Sequence, residues 1–118
     1  MKQQEAIEQS KVIQYCAMWN LPVYHIPNGG SRNKMEAANL KRQGVKAGVP
    51  DLCFPAALRG YHGMYIEMKW GKNKTTDAQD EWIVRLHNSG YFVSVCYSFE
   101  EAKTLIDWYF AEVKQWVI

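Results

Sequence analysis

The chain has 118 residues, of which 47% are hydrophobic and 14% aromatic, and its formal net charge is +2. This length and composition predict a single globular domain over residues 1–118 and exclude a disordered polypeptide. The lack of a long apolar run and the polar N-terminus predict a cytoplasmic protein without a membrane partner.

Helical and strand patterns alternate along the whole sequence. Two capping boxes mark helix starts, one formed by Thr76 with Gln79 and the other by Ser98 with Glu101. Helices that precede, separate and follow the strands predict an α/β fold with a central mixed β-sheet of about four strands flanked by helices. In chain order we expect a helix over Gln3–Trp19, a strand over Val23–Ile26, a helix over Lys34–Arg42, strands over Asp51–Phe54 and Met64–Trp70, a helix from Thr76 to about Asn88, a strand over Tyr91–Tyr97 and a helix from Ser98 to about Val113.

The cysteine and histidine side chains form no zinc motif in the sequence. The cysteine count is odd, and no pair has the spacing of a metal knuckle or a redox motif. We therefore expect Cys16, Cys53 and Cys96 to be small core residues in a reducing compartment. The three histidines are far apart in the sequence, so we expect surface or packing positions for them rather than a metal site.

Positive charge is concentrated in the middle of the chain. Between Ser31 and Ala47 five basic residues accompany a single acid, and the segment from Lys69 to Lys74 holds three lysines and no acid. Charge alone favours an ordinary solvated surface, but a basic region on a nearly neutral protein also indicates a side that faces phosphates. The candidate phosphate contacts are Arg32, Lys34, Lys46, Lys72 and Lys74.

Glu67 and Lys69 are the strongest candidates for a chemical role. Side chains alternate between the two faces of a strand, so Glu67 and Lys69 project to the same side, together with Tyr65. Burying an ion pair in an otherwise apolar strand costs several kcal/mol per ion unless both charges are well satisfied. A catalytic pair therefore explains this pattern better than a structural ion pair.

Asp51 supplies a second carboxylate at the start of the preceding strand. Because Pro50 has no N–H to donate, it suits the first residue of a strand, and Asp51 alone would be interpreted as a turn residue. Beside Glu67, however, it completes a pair of oxygen ligands suited to Mg²⁺ or Mn²⁺. The backbone carbonyl of Met68 is a third candidate ligand, and Lys69 would orient the attacking water or help to deprotonate it.

The first helix contains further polar candidates. Glu5 and Gln9 fall on its apolar face, whereas Glu8 lies nearer the edge of that face. Two interpretations stay open, because these side chains could either reach an interior site or belong to a frayed first turn in solvent. The apolar residues of the same face are Val12, Ile13, Cys16 and Trp19.

Gln79 has an obvious structural interpretation as the partner of Thr76 in the capping box. A role in the active site would require its side chain to turn towards Lys69.

Together these residues resemble the PD-(D/E)xK nuclease superfamily and, more specifically, the VRR-NUC family. The resemblance implies a restriction-endonuclease-like sandwich in which Asp51 and Glu67 bind Mg²⁺, with Mn²⁺ as a substitute. It also implies that Lys69 is the catalytic lysine, that Glu5 is the first-helix acid and a further candidate ligand, and that Gln79 supports the site. The motifs are Glu5-(x3)-Gln9, Pro27-Asn28-Gly29-Gly30, Gly44–Leu52, Glu67-Met68-Lys69, Gln79-(x2)-Trp82 and Gly90. Within them we expect Asn28, Gly29 and Gly30 to contact DNA.

The resemblance implies a metal-dependent DNA endonuclease. Stand-alone members of the family look like Holliday-junction resolvases that act as twofold dimers, so we expect a homodimer that prefers branched DNA. The expected dimer surface is the C-terminal helix, whose apolar side chains include Leu105, Trp108, Tyr109, Phe110, Val113, Trp116 and Val117. The alternatives are a restriction-like or general nuclease of the same fold and a non-catalytic nucleic-acid-binding module.

Overall fold

The computed structural model describes residues 2–27 and 33–114, which fold into one mixed sheet with helices packed on it. The predicted α/β fold and the predicted order of helices and strands are confirmed. The helices are α1 (Lys2–Met18), α2 (Lys34–Arg42), α3 (Asp77–Asn88), α4 (Phe99–Tyr109) and α5 (Ala111–Lys114), and the strands are β1 (Tyr24–His25), β2 (Leu52–Phe54), β3 (Met64–Met68) and β4 (Phe92–Cys96). Within these residues no helix has the length and hydropathy to span a membrane.

The strands follow their chain order across the sheet, β1-β2-β3-β4. The β1–β2 and β2–β3 pairs are antiparallel, whereas β4 runs parallel to β3 because α3 forms the crossover between them. All four strands are shorter than predicted, although pairing continues past their ends. The Ile26 N–H donates to the Asp51 carbonyl (2.7 Å), and the Lys69 N–H donates to the Cys96 carbonyl (2.9 Å).

The two faces of the sheet have different surroundings. One face carries Leu52, Ile66 and Met68, which pack with buried residues of α1 and α4 such as Val12 and Ile106 to form the hydrophobic core. The opposite face carries the side chains of every other residue in the same strands, and α3 packs against it along β4. The side chains of Asp51, Glu67 and Lys69 lie on this second face, which is called the site face below.

The C-terminal region differs from the prediction in two respects. The single predicted helix to Val113 is wrong, because α4 ends at Tyr109 and the backbone leaves the helix at Phe110. That break buries the rings of Tyr109 and Phe110 in the core, so these aromatics are not spare surface for a partner. Trp108 alone among the three adjacent aromatics stays 40% exposed.

Both helix starts agree with the prediction, but the second capping box does not form. Ser98 is the N-cap of α4 and accepts a hydrogen bond from the Glu101 N–H (3.1 Å). The Glu101 carboxylate accepts from the Tyr97 N–H (3.1 Å) rather than from Ser98, so the predicted capping box of Ser98 with Glu101 is wrong. This bond satisfies a backbone N–H that lies just past the end of β4.

Candidate active site

Asp51 is fixed at the mouth of β2 by contacts to both neighbouring strands. Its Oδ2 accepts a hydrogen bond from the Met68 N–H (2.8 Å) on β3. On the β1 side its carbonyl lies 2.9 Å from His25 Nδ1, in addition to its bond with Ile26. The side chain and the backbone of Asp51 are thus both held by the sheet.

Gly48 brings the segment before Asp51 against the start of α3. It has φ +94°, and a Cβ at this position would lie 2.5 Å from the carbonyl carbon of Ala78. Only glycine fits both this backbone conformation and this close approach. The contact places α3, and with it Gln79, beside the strands that carry the acids.

Glu67 and Lys69 both point into the protein from β3 and its extension. Glu67 is 3% exposed and Lys69 is 8% exposed. The Lys69 ammonium lies 3.8 Å from Glu67 Oε2, an ion pair that is longer than a direct hydrogen bond. The predicted placement of Asp51, Glu67 and Lys69 at one site is therefore what the structure shows, while their catalytic roles stay predictions.

The Gln79 side chain takes part in the capping box of α3 and also contacts the candidate active site. Its Oε1 accepts from the Thr76 N–H (2.9 Å), which completes the capping box of α3. Its Nε2 donates to Glu67 Oε2 (3.1 Å). The side chain thus turns towards Glu67 rather than Lys69. The capping role and the contact with the active site, which the sequence presented as alternatives, are therefore compatible.

After burial, the charge of the neighbouring acid has the largest effect on the pKa of Glu67, whereas hydrogen bonds partly offset the effect of burial on Asp51. Burial and the charge of Asp51 raise the pKa of Glu67 to about 8, despite the opposing effect of Lys69. The pKa of Asp51 is also raised, by burial, although the Met68 N–H stabilises its ionised form. Two acids within hydrogen-bonding contact that resist joint ionisation form a site that a cation would stabilise.

The donor set fits Mg²⁺ as an ion that keeps part of its water shell. Within residues 2–27 and 33–114, no three His, Cys, Asp or Glu side chains converge closely enough to hold a metal ion by themselves. Asp51 and Glu67 form a pair, and one or two carboxylates with water are a common way for proteins to bind Mg²⁺. The Met68 carbonyl adjoins this pair along the backbone of β3, and its ligand role stays a prediction.

Glu5 of α1 lies near the pair but is held by another residue. Its Oε2 accepts a hydrogen bond from Asn73 Nδ2 (3.1 Å), in the turn after β3. Its charge nevertheless raises the pKa of both Asp51 and Glu67. Glu5 is therefore not frayed into solvent, and its role as a ligand stays a prediction.

The sequence interpretation missed two polar contacts around the first helix. Gln9 Nε2 lies 3.1 Å from His25 Nδ1, so Gln9 reaches β1 and not the carboxylates. Glu8, placed near the edge of the helix face, is buried, and its Oε1 accepts from the Phe99 N–H (2.9 Å). No local pattern signals these bonds, because each joins residues from different elements.

The predicted DNA contacts that fall within the described residues are all exposed, namely Lys34, Lys46, Lys72 and Lys74. Lys72 and Lys74 flank Asn73, which ties their turn to Glu5. The other predicted contacts, Asn28, Gly29, Gly30 and Arg32, lie outside the described residues.

Comparison with known proteins decides the family. The model of the VRR-NUC domain matches residues 4–100. The chain belongs to the VRR-NUC family. A solved structure described as a VRR_NUC domain protein is similar to it, with a TM-score of 0.79 and 32% sequence identity over 92% of this chain and 88% of the other. A search of curated proteins gives no match. Membership of the VRR-NUC family makes this a nuclease-type domain and implies that it binds DNA.

Proposed function

We propose that this protein is a divalent-metal-dependent DNA endonuclease with Asp51, Glu67 and Lys69 at its active site. The proposal rests on the pair of carboxylates formed by Asp51 and Glu67 on neighbouring strands. The buried Lys69 beside them does not fully compensate their charges. Perturbed acids of this kind are typical of functional sites. The membership of the VRR-NUC family supports the same chemistry.

Asp51 and Glu67 would hold the cation, with the Met68 carbonyl as a further ligand that we propose, and Glu5 would join them only by leaving Asn73. Bound there, Mg²⁺, or Mn²⁺ in its place, would supply a Lewis acid for the phosphoryl group and a water of lowered pKa. Lys69 would orient the attacking water, help to deprotonate it and place positive charge where negative charge develops in the transition state. Gln79 would keep the Glu67 carboxylate in position through its amide.

DNA would approach the site face from the side that carries the exposed lysines. We propose phosphate contacts by Lys34 and Lys46, and by Lys72 and Lys74 beside the active site. The same role is proposed for Asn28, Gly29, Gly30 and Arg32. Such contacts position a duplex without reading its sequence.

We further propose that the protein acts as a homodimer on branched DNA. A twofold dimer would set two active sites at a fixed separation, which suits paired cuts in a four-way junction. Trp108 on α4 is an exposed part of the predicted C-terminal surface, while Trp116 and Val117 lie outside the described residues. The three cysteines are buried and none of them forms a disulfide, which supports the cytoplasmic location that we propose.

The experiment that tests the nuclease proposal is a cleavage panel. Four-way, flapped and fully paired DNA would be incubated with the protein in Mg²⁺, in Mn²⁺ and in EDTA. We expect cuts with either metal, none in EDTA, and the fastest rate on a branched substrate. Equal rates on all three DNAs would favour the general or restriction-like nuclease. Binding without cleavage in every metal would favour the non-catalytic module.

A further inference from the structure

Next to the carboxylates, the site face carries a row of side chains that have no role in the proposed catalysis. Tyr24 of β1 pairs with Cys53 of β2, and Cys53 pairs with Tyr65 of β3. Cys53 lies two residues after Asp51, and Tyr65 lies two residues before Glu67. Because side chains on one face recur at every second residue, this row lies about 7 Å along the strands from the acids.

Cys53 lies between Tyr24 and Tyr65 on the site face, because it is the cross-strand partner of both residues. Only the small side chain of Cys53 therefore separates the two tyrosines along this row. Tyr91 then packs edge-on against Tyr65, with ring centroids 5.3 Å apart and planes at 76°.

The row is only partly covered by the rest of the protein. Tyr24 is 53% exposed, although it lies in a short strand whose pairing fixes its position. A side chain whose only role was to cover the sheet would be expected to be buried, as Leu52 and Ile66 are on the opposite face. A fixed, exposed aromatic ring close to acids that act on DNA offers a surface on which a base can stack.

We propose that Tyr24, on the same face as Tyr65 and Tyr91, is a stacking platform for an unpaired base next to the phosphate that is cut. The proposal rests on the nuclease function proposed above and specifies its substrate. Branch points and flaps contain bases that leave the helical stack at little cost, whereas a continuous duplex holds its bases inside. Stacking on Tyr24 would therefore make the active site selective for DNA with an unpaired nucleotide.

The test compares Tyr24→Leu with Tyr24→Trp and with a matched change at a ring that packs on Phe92 of the other face, Tyr61→Leu. The probes are a single-stranded oligonucleotide with one 2-aminopurine and the fully paired duplex, both in EDTA so that binding is separated from cleavage. We expect Tyr24→Leu to weaken single-strand binding about ten-fold and to remove the fluorescence change of 2-aminopurine, with little effect on the duplex. Tyr24→Trp should retain both signals, and Tyr61→Leu should change neither.

Two outcomes overturn the platform. One is unchanged single-strand binding by Tyr24→Leu with its melting temperature preserved, and the other is an equal loss for single-stranded and paired DNA. If Tyr24→Leu is unstable, failure of Tyr24→Trp to quench 2-aminopurine as the unmodified protein does would overturn it as well. Tyr24-dependent binding without cleavage in Mg²⁺ would support the platform and refute the nuclease. Metal-dependent cleavage that is indifferent to Tyr24 would refute the platform alone.

Discussion

Two buried glutamates of this protein have opposite electrostatic situations. Glu8 of α1 accepts a hydrogen bond from the Phe99 N–H (2.9 Å) and another from Lys11 Nζ (2.9 Å). The bond from Phe99 and then that from Lys11 lower the pKa of Glu8. Burial and the charge of Asp51 instead raise the pKa of Glu67 to about 8. Burial of an acid therefore does not indicate function by itself, whereas burial without compensation does.

The position of each glutamate explains the difference. Phe99 is the first residue of α4, so Glu8 joins two helices by capping the positive end of one of them. Glu67 faces a second acid, and its ion pair with Lys69 is long at 3.8 Å. A cation between Asp51 and Glu67 would compensate Glu67 as Phe99 and Lys11 compensate Glu8. The first glutamate thus serves the fold, and we propose that the second serves a metal.

The largest expected effect is on cleavage by Asp51→Asn and Lys69→Ala. Asp51→Asn removes charge that would hold the metal, Lys69→Ala removes positive charge beside it, and we expect the rate to fall by at least about 100-fold. Binding of DNA measured in EDTA should persist, because the phosphate contacts lie elsewhere. Lys11→Ala, which removes the lysine paired with Glu8, is the matched control and should retain the rate. Full activity in either site variant would remove that residue from the active site.

Glu8→Ala should affect stability instead of chemistry. It leaves the Phe99 N–H without its acceptor, and a hydrogen bond to a charged group contributes about 2 kcal/mol. Urea unfolding should show a loss of this size, while the cleavage rate of the folded protein stays unchanged. Glu8→Gln keeps an acceptor oxygen and should lose less. A Glu8→Ala protein of normal stability would contradict the structural role.

Magnesium should stabilise the protein more at pH 8 than at pH 6. The unfolded chain releases the Glu67 proton near its ordinary pKa of 4.5, whereas in the metal-free fold the pKa is raised to about 8. Between these two pH values the metal-free fold therefore holds a proton that the unfolded chain has lost. Metal-free stability therefore falls as the pH rises through that window, and the proton competes less with a cation at its upper end. At ten times its dissociation constant, Mg²⁺ should add about 1.4 kcal/mol. Melting curves with Mg²⁺ and with EDTA would measure the gain, and Asp51→Asn should lack it. An equal gain at both pH values would contradict the link to Glu67.

The smallest expected effect concerns the exposed lysines. If Lys46 contacts a phosphate, Lys46→Ala should reduce the log–log salt slope of DNA binding by about one unit. Lys103, which lies on α4 and pairs with Asp107 (3.1 Å), provides the control. Fluorescence anisotropy at several salt concentrations would give the slopes. An identical slope in Lys46→Ala and the unmodified protein would exclude this contact.

Local patterns in the sequence predicted most of the site. The two-residue period of a strand suffices to place Glu67 and Lys69 on one face, and the capping box of Thr76 and Gln79 involves residues three apart. The same period places Asp51 on that face once β2 and β3 pair. The α/β fold follows from the alternation of these patterns and is confirmed by the structure.

What the sequence did not predict depends on contacts between distant residues. Glu8 and its partner Phe99 are 91 residues apart, and Glu5 and Asn73 are 68 apart. Periodicity therefore placed Glu8 at the edge of its helix, although the tertiary fold buries it. The early end of α4 has the same origin, since Phe110 leaves the helix to pack against Phe54 of β2.

The most direct test of the proposed role of Glu67 is Glu67→Gln, assayed for cleavage and for stability in one preparation. The amide keeps the shape of the side chain and an acceptor for Gln79, but it removes the uncompensated charge. We expect cleavage of four-way DNA in Mg²⁺ to fall by at least about 100-fold, while the melting temperature in EDTA at pH 8 rises. Retained cleavage, or a lower melting temperature like that expected for Glu8→Ala, would show that Glu67 serves the fold and would contradict the proposed metal site.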